Sequence, residues 1–151
     1  MTSLDSSTIV ETTTGQLNGE TTDGIHAFRG IPYGASTGGS NRFMPPVKPE
    51  PWTGVRDAFG YGSIAPQTAG GRSSGSAGTP IEDSTGVDSE DCLVLNVFTP
   101  GLDTAKRPVM FWCHGGGFVS GSGGAAYDGS NLARRGDVVV VTINHRLGAL
   151  G

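Results

Sequence analysis

The chain has 151 residues, a formal net charge of −4, and 26 glycines with 9 prolines. Such a length serves one domain that buries roughly two thirds of its unfolded surface. Gly and Pro usage far above average, without collagen periodicity, demands many turns and loops. There is no basic block and no apolar run near the ~18–20 residues of a membrane span, so nothing supports a nucleic-acid or membrane role.

Two cysteines, Cys92 and Cys113, make no disulfide framework, and no Cys/His spacing fits a zinc site. Neither a metal nor a cofactor is expected. Residues 1–8 are polar, with no basic or apolar leader region; they read as a disordered terminus, and the default compartment is cytoplasmic.

Residues 9–30 read as antiparallel strands. Ile9–Thr13 is β-branched, Thr14-Gly15 offers a turn, and Asp23-Gly24 is a strong two-residue hairpin signal. His26 reads as a solvated strand residue. Residues 29–57 are punctuated by Pro and Gly but anchored by Tyr33, Phe43 and Trp52, which makes them an ordered wrap. The Gly/Ser-rich stretch at about 68–80 has nothing to bury and reads as a mobile loop.

Two segments formally match G-x-S-x-G, Gly34–Gly38 and Gly71–Gly75. A nucleophilic serine needs a strained turn between a buried strand and a helix. Neither segment follows an apolar strand or precedes a periodic helix, so both read as chance matches.

Cys92–Phe98 reads as a strand buried on both faces, with Leu93, Leu95 and Val97 opposite Val94 and Phe98. Val109–Cys113 reads as a buried parallel strand that opens abruptly into His114-Gly115-Gly116-Gly117-Phe118. Glycines free the backbone for φ > 0 and let a ligand approach the peptide N–H groups. Asn131–Arg135 reads as a short helix, capped by Asp128 or Ser130 and stopped by Gly136 in the left-handed conformation. Asp137–Asn144 is the most hydrophobic run and fits a central strand, completing a right-handed βαβ unit. A dinucleotide cradle is disfavoured: in a G-x-G-x-x-G frame begun at Gly115, the sixth position is Ser120.

Several motifs occur together in order. They are Phe28–Tyr33, Arg42-Phe43 with Pro45-Pro46, Pro51–Gly54, Ser89–Val97, His114–Phe118 and Asn144–Gly148. On these residues the chain, from about Ile9 to Gly151, resembles the N-terminal part of the type-B carboxylesterases, the group of para-nitrobenzyl esterases and cholinesterases. The resemblance implies an α/β fold: the N-terminal part of one α/β-hydrolase domain over 9–151. Antiparallel N-terminal strands would lead into a mostly parallel central sheet.

It further implies that the N–H groups of Gly116 and Gly117 line an oxyanion hole. Gly115 and Phe118 would meet a small-molecule ester, and Arg42 would pair with Glu90. The family's serine, acid and histidine lie downstream of the last motif, so the 151 residues alone are expected to be inactive. Ala65 stands where secreted members carry a cysteine, which makes Cys92 a buried free thiol; Cys113 is expected to be reduced too. His145 replaces the family's usual Tyr and reads as structural. The alternative is a non-catalytic binding or adhesion member of the same fold.

Overall fold

The computed structural model of the chain describes residues 8–67 and 87–151. The Gly/Ser loop at 68–80, the Gly71–Gly75 match and residues 1–7 lie outside them.

Among the described residues, seven strands form one sheet in the order β1-β2-β3-β5-β7-β6, with β4 attached to β2. β1 (Thr8–Thr12) and β2 (Gly15–Thr22) pair antiparallel. Thr8, expected within the disordered terminus, is instead the first residue of β1; it pairs with Gly19 and its hydroxyl bonds that of Thr21 at 2.9 Å. β3 (Ile25–Pro32) returns through Asp23 (φ 50) and Gly24 (φ 75), the two positive φ angles of a type I′ turn. His26 sits on β3, where its Nδ1 bonds Thr21 Oγ1 at 2.8 Å.

β2 divides its length between partners. Its first half takes β1 and the parallel β4 (Val55–Asp57); its second half takes β3. β3 then pairs antiparallel with β5 (Val94–Thr99), with a register irregularity between Phe28 and Ile31 where Gly30 has φ 66.

β5 lies antiparallel to β7 (Val139–Ile143), and β7 lies parallel to β6 (Val109–Cys113). The parallel pairings of the described sheet are thus β6–β7 and β2–β4. Helix α1 (Ser130–Gly136) links β6 to β7, as expected of a strand–helix–strand unit. The stop is Asp137 (φ 47, ψ 49), not Gly136. Asp tolerates the left-handed region better than most side chains, and its carboxylate accepts from Arg107 Nε at 2.7 Å.

Side-chain alternation packs both faces. Ala27, Phe98 and Val140 are in cross-strand register and, with Ile25, meet Ala133 of α1. On the other face Phe28 packs with Leu17 and Ala58, flanked by Val97 and Trp52. A third group gathers Ala65, Cys92, Leu93 and Leu147.

One expectation fails: β6 is parallel but not buried. All five of its residues are exposed, because β7 is its only neighbour in the described sheet.

Cys92 and Cys113 are both free thiols. Cys92 is fully buried, and burial pushes its thiol up to about 11. The thiolate is the reactive form. Cys92 is therefore expected to resist iodoacetamide at mildly alkaline pH until the chain unfolds, as peptide mass mapping with and without denaturant will read.

Candidate active-site loop

The loop after β6 is built on backbone geometry. Gly116, Gly117 and Phe118 all have positive φ, at 124°, 62° and 63°. Consecutive positive angles at 117 and 118 fold residues 116–119 into a tight turn, closed by the N–H groups of Val119 and Ser120, which both donate to the Gly116 carbonyl at 3.2 Å. A Cβ on Gly116 would overlap the Ser120 carbonyl oxygen, whereas Cβ atoms on Gly115 and Gly117 would meet nothing within 4 Å. A bulky residue at φ 63 is a true outlier, costing of order 1–3 kcal/mol. Phe118 bears that strain while 83% exposed, so core packing does not explain its conformation.

Two carbonyls in the loop are held. His114 Nδ1 donates to Gly115 O at 2.8 Å, and Gly116 O takes the turn bonds above. In a trans peptide the N–H points away from the C=O, and there are no cis bonds among the described residues. Holding Gly115 O therefore turns the Gly116 N–H the opposite way, and holding Gly116 O does the same for the Gly117 N–H. Among the described residues, no group accepts from either N–H.

His114 is the prop of this arrangement. A carbonyl can only accept, so Nδ1 carries the proton. Burial pushes the imidazole below its ordinary value, and His145, stacked at 4.3 Å and 4° from parallel, adds to the shift. The ring is thus neutral at pH 7, with a buried and unpartnered Nε2. His145, expected to be structural, packs against the loop's own histidine.

Beneath the loop lies a buried polar network that the sequence reading missed. Asn96 Nδ2 donates to Gly123 O and to Thr142 Oγ1, both at 2.9 Å, while its Oδ1 accepts from the Gly30 N–H at 3.0 Å. Asn144 Oδ1 accepts from Gly123 N–H at 2.6 Å and its Nδ2 donates to Ser63 O at 2.8 Å. The Gly148 N–H donates to Phe118 O at 2.7 Å, which ties the loop to the chain after β7. The available signal was a polar residue inside an apolar strand, Asn96 between Leu95 and Val97.

Of the expected site residues, Gly115, Gly116, Gly117 and Phe118 are together in this loop. Arg42 and Glu90 meet elsewhere, on the wrap. Arg42 Nε and Nη2 donate to the two Glu90 carboxylate oxygens at 2.7 and 2.5 Å. Thr37 Oγ1 and N–H both donate to Glu90 O. The wrap joins the segment after β7 through Tyr33 OH to Asn144 O at 2.6 Å and Arg146 Nη1 to Met44 O at 3.0 Å.

Hydrogen bonding from Arg42 holds the Glu90 carboxyl below its usual range. A depressed folded-state value means the pair stabilises the fold above the ordinary carboxylate range and ceases to do so as pH falls through the lowered value. Arg42→Ala is therefore expected to lower the melting temperature at neutral pH, with the two melting curves converging in acid. A constant difference across pH would contradict this.

Ser36, in the first G-x-S-x-G match, lies in irregular chain ahead of a 3-10 turn at Gly39–Asn41, not between strand and helix. Among the described residues no cluster of three or more His, Cys, Asp or Glu side chains could hold a metal, and no helix is long and apolar enough to cross a membrane.

A sheet strand that ends in a glycine loop with two outward N–H groups, followed by a crossover helix and a parallel strand, is the frame of an α/β-hydrolase. The carboxylesterase family model matches residues 6–151. The chain belongs to the carboxylesterase family. It is 45% identical over 144 residues to the para-nitrobenzyl esterase of Bacillus subtilis (strain 168), covering 95% of this chain and 28% of that protein. It is also 45% identical over 147 residues to the phenmedipham hydrolase of Pseudarthrobacter oxydans, covering 95% of this chain and 29% of that enzyme. The solved Geobacillus stearothermophilus carboxylesterase at pH 6.8 superposes with a TM-score of 0.82 at 43% identity, covering 95% of this chain and 27% of that one. The chain thus spans under a third of the length of these relatives.

Proposed function

We propose that this chain supplies the oxyanion-stabilising loop of a serine-dependent carboxylic ester hydrolase. One observation carries the reading: the Gly116 and Gly117 N–H groups are unengaged and turned outward by carbonyls that are themselves held. When a serine hydroxyl adds to an ester carbonyl, the carbonyl oxygen becomes anionic. Preorganised N–H donors lower the free energy of that intermediate without having to reorient during the reaction. Gly115 leaves the approach open, and the exposed, strained Phe118 flanks it as an apolar contact for the acyl or alcohol group. The Arg42–Glu90 pair fastens the wrap beside this frame. The name of one relative, para-nitrobenzyl esterase, supports ester substrates. The reading assigns no nucleophile, acid or base to a residue of this chain.

The test is the intact mass of the natively expressed protein before and after a fluorophosphonate probe, alongside turnover of a short-chain aryl ester. One added probe with loss of turnover, on a mass above that of the 151 residues alone, is the expected result. No adduct and no turnover on a protein of that larger mass would overturn the reading.

A further inference from the structure

We propose that Gln67 is a positioning residue for the oxyanion loop, acting through Gly121; its catalytic meaning rests on the esterase reading above. Gln67 lies 54 residues before Gly121 in sequence, yet its side-chain amide grips both polar groups of that residue. Oε1 accepts from Gly121 N–H at 2.9 Å and Nε2 donates to Gly121 O at 3.0 Å. The second amide hydrogen goes to Ala65 O at 3.1 Å. Both amide hydrogens and one lone pair of Oε1 are engaged, which fixes which way the amide faces. Among the described residues, Gly121 has no other backbone partner.

Gly121 is also where the loop closes on itself. Its φ of 112° is a glycine conformation, and a Cβ there would run into the His114 ring and into Gly115 O at 2.5 Å. The Gly121 backbone therefore lies flush against the hydrogen bond that turns the Gly116 N–H outward. Its neighbour Ser120 supplies one of the donors that hold Gly116 O and so orient the Gly117 N–H. Gln67 fixes the far end of a six-residue segment, 116–121, whose near end carries both proposed oxyanion donors. A loop rich in glycine needs such an external tie, since its own backbone entropy favours opening.

The test uses Gln67→Glu and Gln67→Met in the natively expressed protein. The first sets a carboxylate against two carbonyl oxygens; the second keeps the approximate shape and removes the bonds. For a short-chain aryl ester, kcat is expected to fall about tenfold or more with KM within about twofold, because oxyanion contacts form only beyond the ground state. Affinity for a trifluoromethyl ketone, whose serine adduct is an anionic tetrahedral species, should fall by the same factor. Wild-type kcat in both variants, or a loss of kcat with unchanged ketone affinity, would overturn the proposal.

Should the unaltered protein neither hydrolyse esters nor take the fluorophosphonate, the esterase reading fails instead. Amide exchange then decides the Gln67 question separately. Faster exchange at Val119 and Ser120 in Gln67→Met upholds the positioning role; a change confined to Gly121 overturns it.

Discussion

Gly116→Ala is expected to slow ester hydrolysis by roughly 10²–10³-fold, the loss typical of removing one oxyanion donor. The cause is steric and local. The added methyl would overlap the Ser120 carbonyl oxygen, a backbone atom that cannot rotate aside, and Gly116 has φ 124, which alanine rarely adopts. Relief requires the 116–120 turn to open, and that turn orients the Gly117 N–H. A graded series separates this account from general damage to the loop. Gly117→Ala finds open space but sits at φ 62, a strain of roughly 1–2 kcal/mol. Gly115→Ala meets neither a clash nor a positive φ. The losses in kcat should therefore rank 116 over 117 over 115, read from steady-state rates on one aryl ester. Equal losses at all three would show that the steric account is wrong.

Asn96→Leu is expected to cost roughly 1–3 kcal/mol of folding stability, although the two side chains are similar in size. Asn96 is buried and makes three hydrogen bonds. Leucine would leave the Gly30 N–H with no acceptor inside the sheet and deprive Gly123 O and Thr142 Oγ1 of a donor. Thr142 still donates to Gly123 O at 2.8 Å, which keeps the loss near the desolvation cost of the single orphaned N–H rather than the sum of three bonds. Denaturant unfolding with an unchanged m-value is the measurement. A change below ~0.5 kcal/mol would mean that the network adds little beyond apolar packing.

Much of the frame was legible because it is written locally. Asp23-Gly24 is a strong hairpin signal, the apolar run Asp137–Asn144 fits a central strand, and His114–Phe118 points to a backbone-built loop. The rest depends on distant partners. Asn96 reads as an interruption in an apolar strand until Gly123 and Thr142 are brought beside it. Gln67 gives no local signal at all, since its partner lies 54 positions away. The αL stop moved from Gly136 to Asp137 because a left-handed aspartate also gains Arg107. The apolar composition of Val109–Cys113 predicts burial, but composition reports what a strand prefers and strand order decides what it receives. Placing β6 beyond β7 left that preference unmet.

The outer rail of β6 consequently behaves as an adhesive strip. Every second residue of β6 presents its backbone N–H and C=O on a side that no described strand pairs, and Val109, Met110, Phe111 and Trp112 surround them with nonpolar surface. Strand addition to such a rail needs no specific sequence in the incoming chain, only an extended backbone. For the 151-residue chain on its own, colloidal behaviour is therefore expected to be governed less by its net charge of −4 than by this one border. Turbidity should rise steeply with protein concentration, and a lysine placed at Phe111 should delay its onset more than the same charge added anywhere on the wrap.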